Sequence, residues 1–147
     1  MKLGFEHTYA TLPDRFYARV EPAKVDDPQV VIFNRALAAE LQWDPDMDAG
    51  RAAALFSGNE LAEDSTLIAM AYAGHQFGTF VPQLGDGRAV LLGEVRDRHG
   101  VLRDVQLKGS GRTPFSRGGD GRAALGPMLR EYLISEAMYA LGIPSTR

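Results

Sequence analysis

The chain has 147 residues, of which 45% are hydrophobic and 24% are charged, values typical of a globular protein with one packed core. Its 16 Lys/Arg and 19 Asp/Glu leave a net charge of −3, which argues against general nucleic-acid binding. The absence of cysteine excludes disulfides and thiolate metal sites. No apolar run is long enough to span a bilayer, so we expect a soluble, cytoplasmic protein. We expect neither nucleic-acid nor membrane partners.

The first half of the chain predicts short elements around a polar connector. Apolar and aromatic residues predict a strand near Phe16–Val20 and a β-rich run at Gln29–Phe33. Three short helices are predicted, at Arg35–Gln42 with Asn34 as N-cap, at Ala49–Phe56, and at Thr66–Tyr72 with Asp64 or Ser65 as N-cap. These helices are expected to pack around the core.

His75 is the one histidine in a glycine-bracketed stretch, G-H-Q-F-G. A catalytic role is one interpretation, and a histidine hydrogen-bonded to backbone in a tight turn is the favoured one. His7 and His99 lie in a polar lead-in and a turn, and three scattered histidines do not have the ligand spacing of a zinc site.

Two strand-like runs, Arg88–Arg96 and Val101–Lys108, flank the polar turn Asp97–Gly100 and predict an antiparallel hairpin. The first run is almost continuously apolar, which indicates burial on both faces. The second run alternates, and Lys108 lies at its end on the polar face.

Glycine and positive charge concentrate around this hairpin. Nine of the 16 glycines lie between Gly85 and Gly121, and residues 85–122 carry eight Lys/Arg against five Asp/Glu, a balance of +3. Glycine lets backbone approach a ligand closely. A positive, glycine-rich patch in an acidic chain points to an anionic ligand, with phosphate as the best candidate.

The longest helix pattern covers Arg122–Leu141, with Pro127 early in it and Gly142 at its end. Glu136 lies near the middle of the apolar stripe and therefore needs a partner, whereas Glu131 lies off its centre. Either carboxylate could hold Lys108 by ion pairing. The order of parts, a glycine turn, two strands, a lysine and a helix glutamate, is that of a protein-kinase small lobe, in which phosphates need backbone amides and an oriented cation.

Longer sequence segments identify a family more specifically than this order of structural elements. The chain contains GHQFG (74–78), QLGDGRA (83–89), LLGEV (91–95), LGIP (141–144) and the long word QLKGSGRTPFSRGGDGRAALGPMLREYLISEAM (106–138). On these words, and on PDRFYARV and VVIFNRALAAELQ nearer the start, the chain resembles the N-terminal part of the selenoprotein O family. The resemblance covers nearly the whole chain.

The resemblance implies a kinase-like fold and transfer of AMP from ATP, with Mg²⁺ or Mn²⁺, to Ser, Thr or Tyr hydroxyls of proteins. It implies that Lys108 contacts phosphate with Glu131 as its ion-pair partner, in preference to Glu136. It also implies two nucleotide-contacting stretches, one made of Gly85, Gly87 and Arg88 and the other of Asp120 and Gly121. The family's catalytic Asp and its metal ligands would lie beyond Arg147.

The sequence therefore predicts an α+β fold, a kinase-like small lobe whose antiparallel sheet carries one long packed helix, with extra N-terminal helices. Residues 1–147 would be the nucleotide-binding lobe of a longer adenylyltransferase, and inactive alone. One alternative is a catalytically silent, pseudokinase-like nucleotide-binding or regulatory module. The other is a structural domain whose glycines serve turns only.

Overall fold

A four-stranded antiparallel sheet organises the computed structural model, which describes residues 1–147. Its strands, in the spatial order β1-β2-β5-β6, are β1 (Tyr17–Arg19), β2 (Ile68–Met70), β5 (Ala89–Arg96) and β6 (Leu102–Lys108). A separate two-stranded hairpin consists of β3 (Gly74–Gln76) and β4 (Thr79–Val81). The helices are α1 (Arg35–Glu40), α2 (Ala49–Ser57) and α3 (Leu125–Ala140), and two short 3₁₀ turns precede β1. The predicted α+β class with an antiparallel sheet is confirmed.

The β5–β6 hairpin forms where the sequence predicts it. Asp97 closes its turn, because its carboxylate accepts the amides of His99 (2.8 Å) and Val101 (3.0 Å). The same carboxylate accepts Arg103 Nε at 3.0 Å, and these bonds lower the pKa of Asp97 even though burial acts to raise it. The polar turn predicted at Asp97–Gly100 is thus fastened by its first residue.

The core lies between the sheet and the N-terminal segments. Its main cluster of buried side chains consists of Leu3, Phe5, Leu41, Ala62, Leu92, Val95 and Leu107. Gly93 lets the N-terminal segment pack closely against β5, since a Cβ there would lie 2.7 Å from Phe5. Trp43 packs edge-on against Phe5 and donates its indole N–H to the Leu3 carbonyl at 3.1 Å. The first residues of the chain are therefore part of the domain's core.

Helices α1 and α2 confirm two of the three short helices predicted. Asn34 caps α1 by accepting the Leu37 amide at 3.0 Å, and Asp48 caps α2 by accepting the Arg51 amide at 3.0 Å. Gly58 ends α2 with φ of +82°. The observed ends of both helices therefore agree with the predicted ends to within one or two residues.

The helix predicted at Thr66–Tyr72 is wrong, because this stretch contains strand β2. Its apolar residues Ile68 and Ala69 are fully buried between β1 and β5. Asp64 does not cap a helix there. Its carboxylate accepts backbone amides of Leu3 and Phe5, each at 3.0 Å, and of Gly4 at 2.8 Å. Pairing with two distant strands prevails over the local helix pattern.

The β-rich run predicted at Gln29–Phe33 is not a strand in the structure. Val31 and Ile32 are 61% and 48% exposed, and the run has no partner in either sheet. Because β propensity reflects a fit to a pleated, half-buried surface, apolar residues without a neighbouring strand do not form one.

Helix α3 is present as predicted, but it is less buried than a packed helix. Ser135 is its only buried residue, while Leu133 and Ile134 are more than half exposed. It reaches the edge strand β6 through the contact of Glu131 with Lys108, and it ends at Ala140, two residues before Gly142, whose φ is +73°. No helix of the structure combines the length and apolar character that a bilayer crossing requires.

Candidate functional site

The glycine turn, Gly85–Gly87, precedes β5, and an aromatic side chain packs closely against it. Gly85 has φ of +61°, and a Cβ at this position would lie 2.6 Å from the Phe115 ring. A Cβ on Gly87 would lie 3.2 Å from the Phe115 carbonyl oxygen. Both glycines thus let the loop that carries Phe115 pack directly onto the turn.

Two hydroxyl groups fasten this loop to the turn. Thr113 donates its hydroxyl to the Asp86 carbonyl at 2.6 Å, and Ser116 donates to the Gly87 carbonyl at 2.5 Å. With Phe115, they hold the turn in one conformation. The sequence does not predict this role of Thr113, Phe115 and Ser116, and its one local signal is T-P-F-S, whose spaced hydroxyls are typical of a turn.

Asp86 faces the protein interior from the same turn. Its carboxylate accepts the Met70 amide at 2.9 Å and the Tyr72 hydroxyl at 3.0 Å. Burial raises the pKa of Asp86, although these two bonds oppose the shift. Burial and the nearby Asp86 carboxylate raise the pKa of Tyr72 to about 12. Asp86 therefore anchors the turn to β2.

Lys108 ends β6 directly beside the glycine turn. It pairs across the hairpin with Ala89, and the following Gly109 amide donates to the Arg88 carbonyl at 2.8 Å. Lys108 Nζ lies 2.5 Å from Glu131 Oε2 on α3, and both side chains are about half exposed. The hydrogen bond from Lys108 lowers the pKa of Glu131, and the charges of Lys108, Arg88 and Arg130 add to the shift.

Glu136, the other carboxylate considered for Lys108, has a different partner. Its two oxygens accept Arg147 Nε at 3.0 Å and an Arg147 terminal nitrogen at 3.2 Å. This bidentate bond lowers the pKa of Glu136. Lys108 thus contacts Glu131 and not Glu136.

Asp120 and Gly121 are brought to the same surface by the loop that follows β6. Ser110 and Arg122 form an isolated antiparallel bridge, and the Gly111 amide donates to the Gly121 carbonyl at 3.2 Å. Gly121 has φ of +72°, and a Cβ there would lie 2.0 Å from the Gly111 carbonyl oxygen. Asp120 is exposed, and its carboxylate accepts the Arg122 amide at 2.9 Å.

The site residues predicted from the sequence are thus connected through neighbouring backbone. The glycine turn adjoins the end of β6, and the Ser110–Arg122 bridge adjoins that end from the other side. Four exposed cations belong to these segments, namely Arg88, Lys108, Arg112 and Arg122, and the guanidinium groups of Arg112 and Arg122 donate to backbone carbonyls. Such a surface can bind an anion with several negative charges. The structure contains no group of three or more His, Asp or Glu side chains that could hold a metal ion.

The His75 ring packs against an aromatic side chain and not against backbone. It lies exposed on β3, with its ring centroid 5.5 Å from that of Phe80 across the hairpin. The hydrogen bond to backbone that the sequence suggested is not formed, because the side chain projects from a two-stranded ribbon and not into a tight turn.

Comparison with known proteins gives consistent matches over this whole chain. Residues 1–147 match the family model described as protein adenylyltransferase SelO. A protein named protein nucleotidyltransferase YdiU from Rhodopseudomonas palustris (strain BisB5) is 65% identical over 144 residues, which are 97% of this chain and 29% of the relative. Proteins of the same name from Agrobacterium fabrum and Rhizobium meliloti are 65% and 62% identical, over 99% and 97% of this chain and 30% and 29% of their own lengths. The chain thus spans under a third of these curated relatives.

Proposed function

The chain belongs to the protein adenylyltransferase SelO family, and on this premise we propose that it is the nucleotide-binding, kinase-like small lobe of an enzyme that transfers AMP from ATP to Ser, Thr or Tyr hydroxyls of proteins. The observation that carries the proposal is the contact between Lys108 and Glu131 beside a glycine turn. A cation held by a helix carboxylate is an arrangement suited to phosphate. A cytoplasmic location, expected from the sequence, is part of the proposal.

In this proposal Lys108 and Arg88 supply the positive charge for the phosphates of ATP. Glu131 limits the rotamers of Lys108, so that its ammonium group is oriented before the nucleotide arrives. Gly85 and Gly87 keep the backbone free of side chains where the nucleotide approaches. Gly121 likewise keeps side-chain atoms away from the backbone where the second stretch, Asp120 and Gly121, would contact the nucleotide. Asp120, a carboxylate, suits a hydroxyl or amino group of the nucleotide better than a phosphate.

The divalent metal is not held by this chain in the proposal. The residues present include no cluster of metal-ligating side chains, so we assign no step here to Mg²⁺ or Mn²⁺. The metal ligands and the catalytic Asp would belong to the part of the longer relatives that this chain does not match. Residues 1–147 by themselves would then bind ATP weakly and transfer nothing, because only one wall of the cleft is present.

A second candidate is a catalytically silent nucleotide-binding or regulatory module. The positive, glycine-rich surface beside Lys108 supports nucleotide binding in this candidate as well, and the candidate requires no metal ligand or general base. Both candidates predict ATP binding, and a purely structural domain does not.

The position of the isotope label in ATP distinguishes an AMP-transferring enzyme from a catalytically silent module. The full-length protein, a generic protein acceptor and Mg²⁺ or Mn²⁺ would be incubated with ATP labelled at the α-phosphate and, separately, at the γ-phosphate. AMP transfer puts only the α-label on protein, and phosphoryl transfer puts only the γ-label there. Binding of ATP with neither label transferred would favour the silent module. Absence of ATP binding would overturn both candidates.

A further inference from the structure

Arg147 is the most extensively bonded side chain near α3. Besides its two bonds to Glu136, it donates to Glu40 Oε2 on α1 at 2.9 Å. Its guanidinium lies 3.6 Å from the centre of the Tyr139 ring, and only 11% of its side chain is exposed. Tyr139 also donates its hydroxyl to Glu40 at 3.2 Å. We call Arg147, Glu136, Glu40 and Tyr139 the arginine clamp.

The arginine clamp joins α3 to α1 across a gap. A cavity of about 850 Å³ lies between α1, β6 and α3, and Tyr132 and Tyr139 project toward it from the helix. Because α3 buries only Ser135, little apolar packing determines how the helix sits over this cavity. Its polar ties are the Lys108–Glu131 pair and, nearer its C-terminal end, the clamp.

We propose that Arg147 is a positioning residue for the nucleotide site, acting through α3 on Glu131. Glu131 and Glu136 lie five residues apart on one helix, about 7.5 Å along its axis, so a shift at the clamp is transmitted to the Lys108 contact. The effect on AMP transfer rests on the proposed function, whereas the effect on the position of α3 does not.

Loss of Arg147 has a specific consequence for its neighbours. Glu40 and Glu136 accept from the same guanidinium and are both largely buried, at 15% and 29% side-chain exposure. Without the arginine two carboxylates face each other without a cation, a situation that costs more than the pair contributed. Their repulsion would move the C-terminal half of α3 away from α1 and draw Glu131 off Lys108.

The test is a mutant cycle in the full-length protein, read by the dissociation constant for ATP. Arg147→Met should weaken ATP binding roughly tenfold, within the usual range of coupling between sites. Adding Glu40→Gln and Glu136→Gln should restore part of the affinity, because the repulsion is removed. Arg35→Met is the matched control, since it removes an arginine from an exposed ion pair with Asp46 and should change nothing.

Glu131→Gln distinguishes positioning from a general structural effect. If Arg147 acts through Glu131, Arg147→Met should have little further effect on ATP affinity in the Glu131→Gln background. An equal loss in both backgrounds would overturn the proposal. If Arg147→Met does not fold, Arg147→Lys, which keeps the charge but not the bidentate bond, takes its place in the cycle.

A second measurement does not depend on nucleotide. Amide hydrogen exchange in α3 should rise in Arg147→Met and stay unchanged in Arg35→Met. Raised exchange without ATP binding by the unsubstituted protein would defeat the proposed function and leave the positioning of α3 supported. Unchanged exchange in α3 would show that Arg147 positions nothing.

Discussion

Lys108 Nζ and Glu131 Oε2 lie 2.5 Å apart, although 23 residues separate them in the chain and they belong to a strand and a helix. Both side chains are about half exposed, so solvent screens the pair and its contribution to folding is small, about 0–1 kcal/mol. The depressed pKa of Glu131 keeps the pair ionised until the pH falls through that pKa. Orientation of the lysine, and not stability, is therefore the main consequence of the contact.

We predict that Lys108→Ala in the full-length protein abolishes AMP transfer, a loss on the order of 10²-fold or more, and leaves the protein folded. An oriented cation serves the phosphates in the transition state, and the exposed side chain contributes little to the core. The measurement is incorporation of α-labelled nucleotide into protein, together with a melting curve. Lys2→Ala, an exposed lysine outside the site, is the control. Near-normal transfer by a folded Lys108→Ala protein would remove Lys108 from the site.

The second prediction uses two glycines of one loop. Gly121→Ala should weaken ATP binding and lower stability, because its φ is +72° and the new Cβ would meet the Gly111 carbonyl. Gly119→Ala should be close to neutral, since Gly119 has no positive φ and open space around its Cβ position. We expect a cost above about 1 kcal/mol for Gly121→Ala in denaturant unfolding. Equal behaviour of the two variants would mean that the Gly111–Gly121 contact does not shape the site.

The third prediction concerns pH and Asp64. Partial burial acts to raise its pKa, but the amides of Leu3, Phe5 and Gly4 outweigh this and lower it below the usual 3.8. A depressed pKa contributes stability above pH 3.8, and this contribution disappears as the pH falls through the folded-state value. Asp64→Asn should therefore destabilise the protein at pH 7, by about 1 kcal/mol because solvent screens the carboxylate, and progressively less as the pH falls below 3.8.

Unfolding curves at several pH values would measure this difference for Asp64→Asn. Asp26→Asn is the matched control, because Asp26 is exposed and forms no side-chain hydrogen bond. A destabilisation by Asp64→Asn that stays constant down to pH 2 would show that the ionised carboxylate is not what holds the N-terminal segment.

The fourth prediction is a stabilising change at the tip of the β3–β4 hairpin. Phe77 is 97% exposed and has φ of +52°, followed by Gly78 at +79°. Asn adopts this left-handed conformation more readily than Phe, so Phe77→Asn should raise stability by roughly 0.5–1 kcal/mol. Thr79→Asn, at a strand position, should not stabilise. A loss of stability in Phe77→Asn would mean that the exposed ring makes contacts in the folded protein that outweigh the strain.

Residues that act on their neighbours in the chain were predictable from the sequence. Asn34 and Gly58 mark helix boundaries, and Asp97 with Gly100 makes the β5–β6 turn, because capping and turn formation involve residues two to four positions apart. The position of Lys108 at a strand end followed from alternation along β6. Choosing Glu131 over Glu136 required the family resemblance, because helix periodicity alone left both open.

Contacts between distant segments could only be decided by the tertiary structure. Ile68 and Ala69 form a strand because β1 and β5 lie on either side of them, while Val31 and Ile32 form none because no strand lies beside them. The same holds for the contact of Phe115 with Gly85 and for the bonds of Arg147 between α1 and α3, which no local pattern predicts. Local patterns determine the conformation a segment prefers by itself, and burial against particular partners, which carries most of the free energy, determines which preference survives.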